Sequence, residues 1–372
     1  MTRYAHIIGW GMAVPERVLT NSELEKMVDT TDEWIVTRTG IRERRIASKH
    51  DSTASLSAQA ARHALGMTAL APKDIQLIIV ATATPEHMFP ATACLVQDSL
   101  GALNAGAFDL SAACSGFIFA LNMAASAIRS GALDNAVIIG GETLSRFVDW
   151  QDRTTAILFG DGAGAVVLQA SDEPGGVMGA VMRSDGSGAN LLEIPAGGSP
   201  MPPTADTVAR NLHTIQMNGR EVFRFATRVM ASATKEAVAR SGLQIEEIEL
   251  VVPHQANLRI IEAAARGLRL PMERFYINIQ RYGNTSSASI PMAICEAVAE
   301  NRIHPGDHIV LVGFGAGLTW GSIVVQWVET RPAAPPRGRA LASLGARLRS
   351  LLRRIWRRLE GLIWGAASVP GE

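Results

Sequence analysis

Hydrophobic residues occur in this chain as short, nearly continuous runs that recur at a fixed distance. DIQLIIVATATP begins at Asp74 and EIELVVPHQANL begins at Glu247, so the two runs are offset by 173 residues. The same offset relates NAVIIGG, around Gly140, to HIVLVGF, around Gly313. Apolar runs of this kind are typical of strands that are buried on both faces of a sheet. The pattern therefore predicts two copies of one βαβαβ-type unit.

Each predicted copy also carries a tight turn followed by a helix of small residues, in FDLSAACSGFIFAL and in INIQRYGNTSSASIPMAI. GAGAVVLQ, from Gly162, and TWGSIVVQW, from Thr319, predict a closing strand in each half. We expect an α/β fold of two pseudo-symmetric halves, residues 1–172 and 173–330, in a layered α/β/α/β/α arrangement with a site at their seam. The segment near Glu142–Ile157 has no counterpart in the second half, which predicts a functional loop.

One uncharged stretch has the length of a membrane-spanning helix. Leu110 to Ile128 contains 19 residues without a charge. It also contains three serines, an asparagine and a glycine, and this composition favours a helix that is buried in a large soluble core.

Length and composition narrow the class of protein. The chain has 372 residues, of which 47% are hydrophobic, and this is enough to bury a core without disulfides or metals. Its three cysteines form no C-x-x-C pair, which argues against a disulfide framework or a structural zinc site. The N-terminal residues MTRYAHIIGWGM lack the apolar core of a secretory signal, so we expect a cytoplasmic protein.

A formal net charge of zero conceals a basic C-terminal tail. Residues 331–372 contain nine arginines and two glutamates, a charge of +7, which leaves −7 on residues 1–330. Pro332, Pro335 and Pro336 predict a stiff linker. Beyond it, leucines and isoleucines recur at three- and four-residue spacing opposite arginines, which predicts a basic amphipathic helix over residues 340–364. Contact with an anionic membrane, docking on an acidic partner and a poorly ordered appendage remain the three alternatives.

Cys114 is the first candidate for chemistry. It lies where the strand at 107–110 turns into the uncharged helix, among small residues that permit a sharp turn. We expect the helix N-terminus to lower the pKa of the thiol, because unpaired N–H groups favour the thiolate. A thiolate in this place suits covalent acyl transfer. The alternative is a small buried cysteine without a chemical role.

His254 and Asn284 are the other two candidates. His254 follows a predicted strand at the position where the first half has Ala81. Asn284 lies in RYGNTSSAS, at the strand-to-helix turn that we match to the turn of Cys114. A histidine and a neutral amide at one seam can donate hydrogen bonds to a carbonyl or enolate oxygen. Capping and turn roles are the alternatives.

Six segments together carry a resemblance that covers about residues 1–328: DTTDEWIVTRTGIRERRIA, FDLSAACSGF, FGDGAGAVVL, VPHQANLRII, YGNTSSASIP and GFGAGLTWG. In this order and spacing they resemble β-ketoacyl-acyl-carrier-protein (ACP) synthase III, a condensing enzyme of bacterial type II fatty-acid synthesis. The resemblance implies the thiolase fold, in agreement with the repeat, and a homodimer. It also implies a reaction without a metal or redox cofactor, in which coenzyme A (CoA) enters as a thioester substrate.

The implied reaction has two stages. Cys114 takes an acyl group, expected to be acetyl, from acyl-CoA, and malonyl-ACP then loses CO2 and attacks the acyl-cysteine to form a β-ketoacyl-ACP. By resemblance, His254 and Asn284 stabilise the enolate, and the backbone N–H groups of Cys114 and Ala316 form the oxyanion hole. Phe89 matches a position that closes the acyl pocket of the partner subunit.

Substrate contacts follow from the same resemblance. The residues implied to bind CoA are Thr30, Trp34, Arg38, Arg153, Gly219, Phe223 and Asn257. Those implied to bind the carrier protein are Arg224, Gln255, Arg259 and Arg266. Two rival functions remain open: a polyketide- or alkylquinolone-type condensing enzyme with another starter, and a non-catalytic scaffold, against which the intact Cys114, His254 and Asn284 argue.

Overall fold

The computed structural model describes residues 2–329 and three residues of the tail, namely Leu352, Ile355 and Trp356. Its strands in residues 2–329 are β1 (Tyr4–Ala13), β2 (Val18–Thr20), β3 (Glu43–Arg45), β4 (Leu77–Ala81), β5 (Gly106–Leu110), β6 (Asn135–Thr143), β7 (Asp161–Ser171), β8 (Gly176–Ser184), β9 (Leu192–Glu193), β10 (Gln216–Met217), β11 (Leu250–Pro253), β12 (His308–Gly315) and β13 (Thr319–Gln326). Its α-helices there are α1 (Asn21–Leu24), α2 (Asp32–Thr39), α3 (Thr53–Gly66), α4 (Thr92–Leu100), α5 (Gly116–Arg129), α6 (Arg153–Ala156), α7 (Ala205–Ala209), α8 (Gly219–Arg240), α9 (Leu258–Leu268), α10 (Ile279–Tyr282) and α11 (Ser289–Ala299).

Two mixed sheets form the framework. The first has the strand order β1-β7-β6-β4-β5, with β4 parallel to β5 and β6 and the other pairs antiparallel. The second has the order β11-β12-β13-β8, with only β11 and β12 parallel. The apolar runs that recur at the offset of 173 residues form two pairs of strands. The first pair is β4 and β11, and the second pair is β6 and β12. The proposed division at residues 172 and 173 falls in the turn between β7 and β8.

Helices cover both faces of each sheet. α5 and α11 pack between the sheets, where Phe117, Ile118 and Ile290 share one apolar core with strand residues of both halves. α3 and α4 cover the outer face of the first sheet, and α8 and α9 cover the outer face of the second. These are the five predicted layers, so the expected architecture is confirmed.

The uncharged stretch contains the last residue of β5, a short turn and all but the last residue of α5, and α5 lies in the centre of the core as predicted. Among the residues that the structure describes, no helix combines the length and the hydropathy needed to cross a bilayer. The predicted tail helix over 340–364 lies outside the described residues except at Leu352, Ile355 and Trp356. These three are helical, and their exposed fractions are 54%, 45% and 61%.

Candidate active site

Cys114 lies at the junction of the two halves. It occupies a 3-10 turn, Ala113–Ser115, between β5 and α5, and Ala113 holds the left-handed backbone conformation with φ +46°. Gly315, at the end of β12, approaches this turn so closely that a Cβ there would lie 2.6 Å from the Cys114 backbone nitrogen. The thiol is 7% exposed and lines a cavity of about 400 Å³ together with Ala316. The second half thus forms one wall of the cavity around the candidate nucleophile.

The expected low pKa of Cys114 is wrong for the protein without substrate. Burial raises the pKa of this thiol to about 12, and the nearby Glu142 carboxyl raises it further, against a hydrogen bond with Ser286 that lowers it. The helix α5 begins two residues after Cys114, so the thiol is not at its first turn. Loss of water around the sulfur therefore raises the pKa of Cys114 by more than the helix dipole lowers it.

His254 lies fully inside the protein, one residue beyond β11. Its Nδ1 is 2.7 Å from the Ser289 hydroxyl oxygen, and its ring packs edge-on against Phe314 at a centroid distance of 5.4 Å. Its Nε2 is buried and has no hydrogen-bond partner in residues 2–329. Burial lowers the pKa of His254 from 6.5 to about 3, so the ring is neutral at pH 7.

Asn284 is held by both its backbone and its side chain. Its N–H donates to the Leu158 carbonyl at 2.8 Å, and its own carbonyl accepts from the Gly160 N–H at 3.0 Å. Its side-chain oxygen accepts a hydrogen bond from the Ser286 N–H at 2.8 Å. Because the oxygen is occupied in this way, the two donors of the Asn284 amide are left for the cavity.

The predicted match between the turns of Cys114 and Asn284 needs a correction. At the offset of 173 residues, Cys114 corresponds to Ser287, and Ala113 corresponds to Ser286, which also has positive φ at +47°. Asn284 therefore lies three residues before the true counterpart of the nucleophile. A single cavity is nevertheless lined by Cys114, His254 and Asn284.

A buried carboxyl that the sequence analysis did not single out connects the turn at Ser287 with the loop that follows β4. Glu142, on β6, accepts hydrogen bonds from the Ser287 hydroxyl at 2.8 Å, the Thr84 hydroxyl at 2.7 Å and the Ala83 N–H at 3.1 Å. Burial raises its pKa. The one feature of the sequence that could have pointed to Glu142 is its position at the start of segment 142–157, which has no counterpart in the second half. That segment also supplies Arg153.

Trp34, Arg38 and Arg153 lie together on the surface, as the resemblance implies. The Thr31 hydroxyl caps α2 by accepting from the Trp34 N–H at 3.1 Å, which fixes the start of the helix. The guanidinium carbons of Arg38 and Arg153 lie 4.8 and 5.5 Å from the Trp34 ring centre. Thr30 precedes the cap, and its buried hydroxyl has no partner in the described residues. An aromatic ring beside two exposed cations is suited to an adenine nucleotide.

Cys114 also lines a second cavity, together with His254 and Asn284. Gly219, Phe223 and Asn257 line it beside His254. The Asn257 amide donates to the Arg38 carbonyl at 2.9 Å, which ties α9 of the second half to α2 of the first. Of the implied CoA residues, Gly219, Phe223 and Asn257 therefore line this cavity, and the hydrogen bond of Asn257 connects them to Arg38.

Of the four residues implied to bind a carrier protein, three are exposed and one is not. Arg224 lies on α8, and Arg259 and Arg266 lie on α9, all at the surface. Gln255 is only 1% exposed, and its amide donates to the Pro253 and Tyr276 carbonyls while its oxygen accepts from the Asn278 N–H. A saturated, buried amide cannot contact another protein, so the implied role of Gln255 is wrong.

Phe89 is 86% exposed and does not line the cavity of its own chain. Met88 beside it is 80% exposed. The neighbouring strand β5 lies at the edge of the first sheet, with one side of its backbone unpaired in residues 2–329. Both exposed apolar side chains precede Thr92, whose N–H donates a hydrogen bond to the Asp109 side chain of β5.

Comparisons with known proteins agree on one family. The model "3-Oxoacyl-[acyl-carrier-protein (ACP)] synthase III" matches residues 108–186, and its C-terminal counterpart matches residues 238–327. A β-ketoacyl-ACP synthase III of Roseiflexus sp. is 53% identical over 88% of this chain and 99% of its own, and that of Symbiobacterium thermophilum is 54% identical over 86% and 97%. The crystal structure of 3-oxoacyl-ACP synthase III from Aquifex aeolicus superposes with a TM-score of 0.81 at 48% identity, over 87% of this chain and all of the other.

Proposed function

This chain belongs to the β-ketoacyl-ACP synthase III family, and on that premise we propose that it condenses an acyl-CoA starter, by preference acetyl-CoA, with malonyl-ACP. The observation that carries the proposal is the single cavity lined by Cys114, His254 and Asn284. The product, a β-ketoacyl-ACP, is the first condensed intermediate of fatty-acid synthesis. Identities near 50% to synthases of this type favour that role over a polyketide- or alkylquinolone-type enzyme.

Cys114 carries the first step. Its sulfur forms a bond with the acyl carbon, the bond between that carbon and the CoA sulfur breaks, and the thiol proton passes to the departing CoA thiolate. A neutral thiol, which a pKa of about 12 implies, supplies this proton itself. The backbone N–H groups of Cys114 and Ala316 stabilise the negative charge on the thioester oxygen, as an oxyanion hole does.

His254 and Asn284 act in the second step. The malonyl carboxylate leaves as CO2, and its electron pair moves into the enolate of the thioester. Both side chains donate hydrogen bonds to the enolate oxygen, and neither brings a charge into the cavity. The carbanion then bonds to the acyl carbon, the bond to the Cys114 sulfur breaks, and the released thiolate takes up a proton from water.

Trp34, Arg38 and Arg153 bind the nucleotide end of CoA, with the indole stacked on adenine and the guanidinium groups paired with phosphates. CoA takes part as a substrate thioester, and we propose no resident cofactor. Arg224, Arg259 and Arg266 form a basic face on α8 and α9 that complements an acidic carrier protein.

Two copies of the chain form a dimer through the edge of the first sheet. The edge strand β5 and the exposed side chains of Met88 and Phe89 support this proposal, because an unpaired strand edge and exposed apolar side chains favour pairing with a second chain. In the dimer, Phe89 reaches the acyl cavity of the partner subunit and limits the length of the starter.

The tail contributes a further contact in this proposal. Residues 340–364 bind an anionic membrane surface, supported by the charge of +7 over residues 331–372 and by the exposed, helical Leu352, Ile355 and Trp356. An amphipathic segment of this composition gains about 1 kcal/mol per arginine near anionic headgroups.

The acyl-enzyme tests the core of the proposal. Treatment with acetyl-CoA, followed by peptide mass spectrometry, should find the acetyl group on Cys114, and Cys114→Ser should release no CoA. Label on Cys94 or Cys295 instead would refute the assignment. His254→Ala and Asn284→Ala should retain acylation but lose malonyl decarboxylation by about 100-fold. Equal loss of both steps would show that these residues do not act on the enolate.

Starter preference needs a separate experiment. CoA release is measured across acyl-CoA chains of increasing length from acetyl, and a maximum at acetyl or propionyl is the expected result. A maximum at a longer or aromatic starter would favour the secondary-metabolite alternative while leaving the condensing chemistry in place.

A further inference from the structure

Because the His254 ring is neutral, its function depends on which nitrogen carries the single proton. If Nε2 carries it, the ring donates a hydrogen bond into the cavity. If Nδ1 carries it, the ring presents a lone pair there and repels a carbonyl or enolate oxygen. The contacts of Nδ1, on the other side of the ring, decide between these two tautomers.

Ser289, the first residue of α11, makes the decisive contact. It is 2% exposed, and its hydroxyl oxygen lies 2.7 Å from His254 Nδ1. The same oxygen accepts a hydrogen bond from the Gln255 N–H at 3.4 Å. Gln255 follows His254 in the chain, so its N–H and the histidine ring both face the one hydroxyl.

The proton of the Ser289 hydroxyl determines the direction of the hydrogen bond between Ser289 and His254 Nδ1. If Nδ1 donated to Ser289, the oxygen would accept twice, and its own proton would have no acceptor among the described residues. A buried donor without a partner costs about 1–3 kcal/mol. If Ser289 instead donates to Nδ1, the hydroxyl both accepts and donates, and every buried group in the contact is satisfied.

We propose that Ser289 is a positioning residue that fixes His254 as its Nε2–H tautomer, so that Nε2 donates into the cavity. The inference rests on the role proposed above for His254 in the condensation step. With Nε2–H and the Asn284 amide both donating, the cavity accepts only a group with free lone pairs, such as a thioester carbonyl or its enolate. The same tautomer has no lone pair on Nε2, so His254 does not take the proton of Cys114.

The tautomer is measured directly by ¹⁵N nuclear magnetic resonance of full-length protein labelled at histidine, at pH 7. The His254 signals are those missing from His254→Ala. A protonated Nε2 and an unprotonated Nδ1 are expected in the unmodified protein. A protonated Nδ1 overturns the proposal, and this result needs no Ser289 variant to fold.

Ser289→Ala provides the kinetic test. Decarboxylation of malonyl-ACP should fall about tenfold, the worth of one hydrogen bond, while acylation of Cys114 is retained. Ser322→Ala is the matched control, since Ser322 is also a fully buried serine, lies on β13 and has a hydroxyl without a hydrogen-bond partner in the part of the chain that the structure describes. Decarboxylation in Ser289→Ala equal to that of the control would overturn the proposal.

The decarboxylation rates of the two variants distinguish a failure of the proposed function from a failure of the proposed role of Ser289. If His254→Ala itself leaves decarboxylation intact, the role of His254 in condensation is wrong, whatever the tautomer. If His254→Ala abolishes decarboxylation but Ser289→Ala matches the control, the function stands and the positioning role of Ser289 is refuted.

Discussion

Gly315→Ala tests the close contact between the two halves at the nucleophile. A Cβ at residue 315 would lie 2.6 Å from the Cys114 nitrogen and 3.2 Å from the Cys114 Cβ. Ordinary van der Waals contact begins at 3.4 Å, so the 3-10 turn or the end of β12 must move by 0.8 Å. The atoms in the way are the Cys114 backbone nitrogen and the Cβ atoms of Ala113 and Cys114. The backbone fixes the position of a Cβ atom, so no rotation of a side chain relieves the clash.

The size of the effect follows from this displacement. A misplacement of about 1 Å costs about 100-fold in rate, so acylation of Cys114 should fall by about two orders of magnitude. Overpacking in a tight interior destabilises the fold by about 1–3 kcal/mol. The variant should therefore remain folded at 25 °C but acylate slowly, because the N–H that stabilises the thioester oxygen has moved.

The assay is the initial release of CoA after mixing with acetyl-CoA, with unfolding by urea measured in parallel. Gly66→Ala is the matched control, since a Cβ at this last residue of α3 meets no atom of the described residues within 4 Å, apart from its chain neighbours and its own helix backbone. Acylation at the unmodified rate in a folded Gly315→Ala variant would refute the argument from close approach.

Four further predictions concern other parts of the chain. The folded pKa of His254, about 3, is below its usual 6.5, so its contribution to stability is complete above pH 6.5 and is lost as the pH falls towards 3. Between pH 7 and pH 5 the unmodified protein should lose about 2 kcal/mol more unfolding free energy than His254→Ala; equal losses in urea titrations would contradict the lowered pKa. Trp34→Ala should raise the KM for acetyl-CoA about tenfold with little change in kcat, and an unchanged KM would remove the indole from the CoA site. Phe89→Thr should extend the accepted starter by several carbons, whereas an unchanged chain preference would exclude Phe89 from the acyl pocket. A variant ending at Glu329 should retain condensing activity, because all the proposed catalytic residues precede it, but should no longer sediment with anionic vesicles at low salt. If the full-length protein also stays in the supernatant, the membrane contact is wrong.

The sequence by itself determined the architecture, because that information is carried by periodicity and repetition. Buried strands leave apolar runs such as those of β4 and β11, and two runs at one offset imply two similar units. The burial of α5 also followed from composition, since small and hydroxyl residues in an uncharged helix fit a protein interior better than lipid. Cys114 and His254 could be selected because each follows a recognisable strand at a turn, whereas the strand predicted before Asn284 is the short helix α10 in the structure.

Tertiary structure alone decided what surrounds those side chains. The pKa of Cys114 depends on the water that packing removes, and the helix position alone predicted a change in the wrong direction. Gln255 has the sequence context of an exposed residue after a strand, but backbone groups of Pro253, Tyr276 and Asn278 saturate its amide. The contact between Ser289 and His254 joins residues 35 positions apart. The local sequence pattern indicates which face of a helix or strand is apolar. The solvation of a side chain and the direction of its hydrogen bonds are determined only when segments that are distant in sequence pack together.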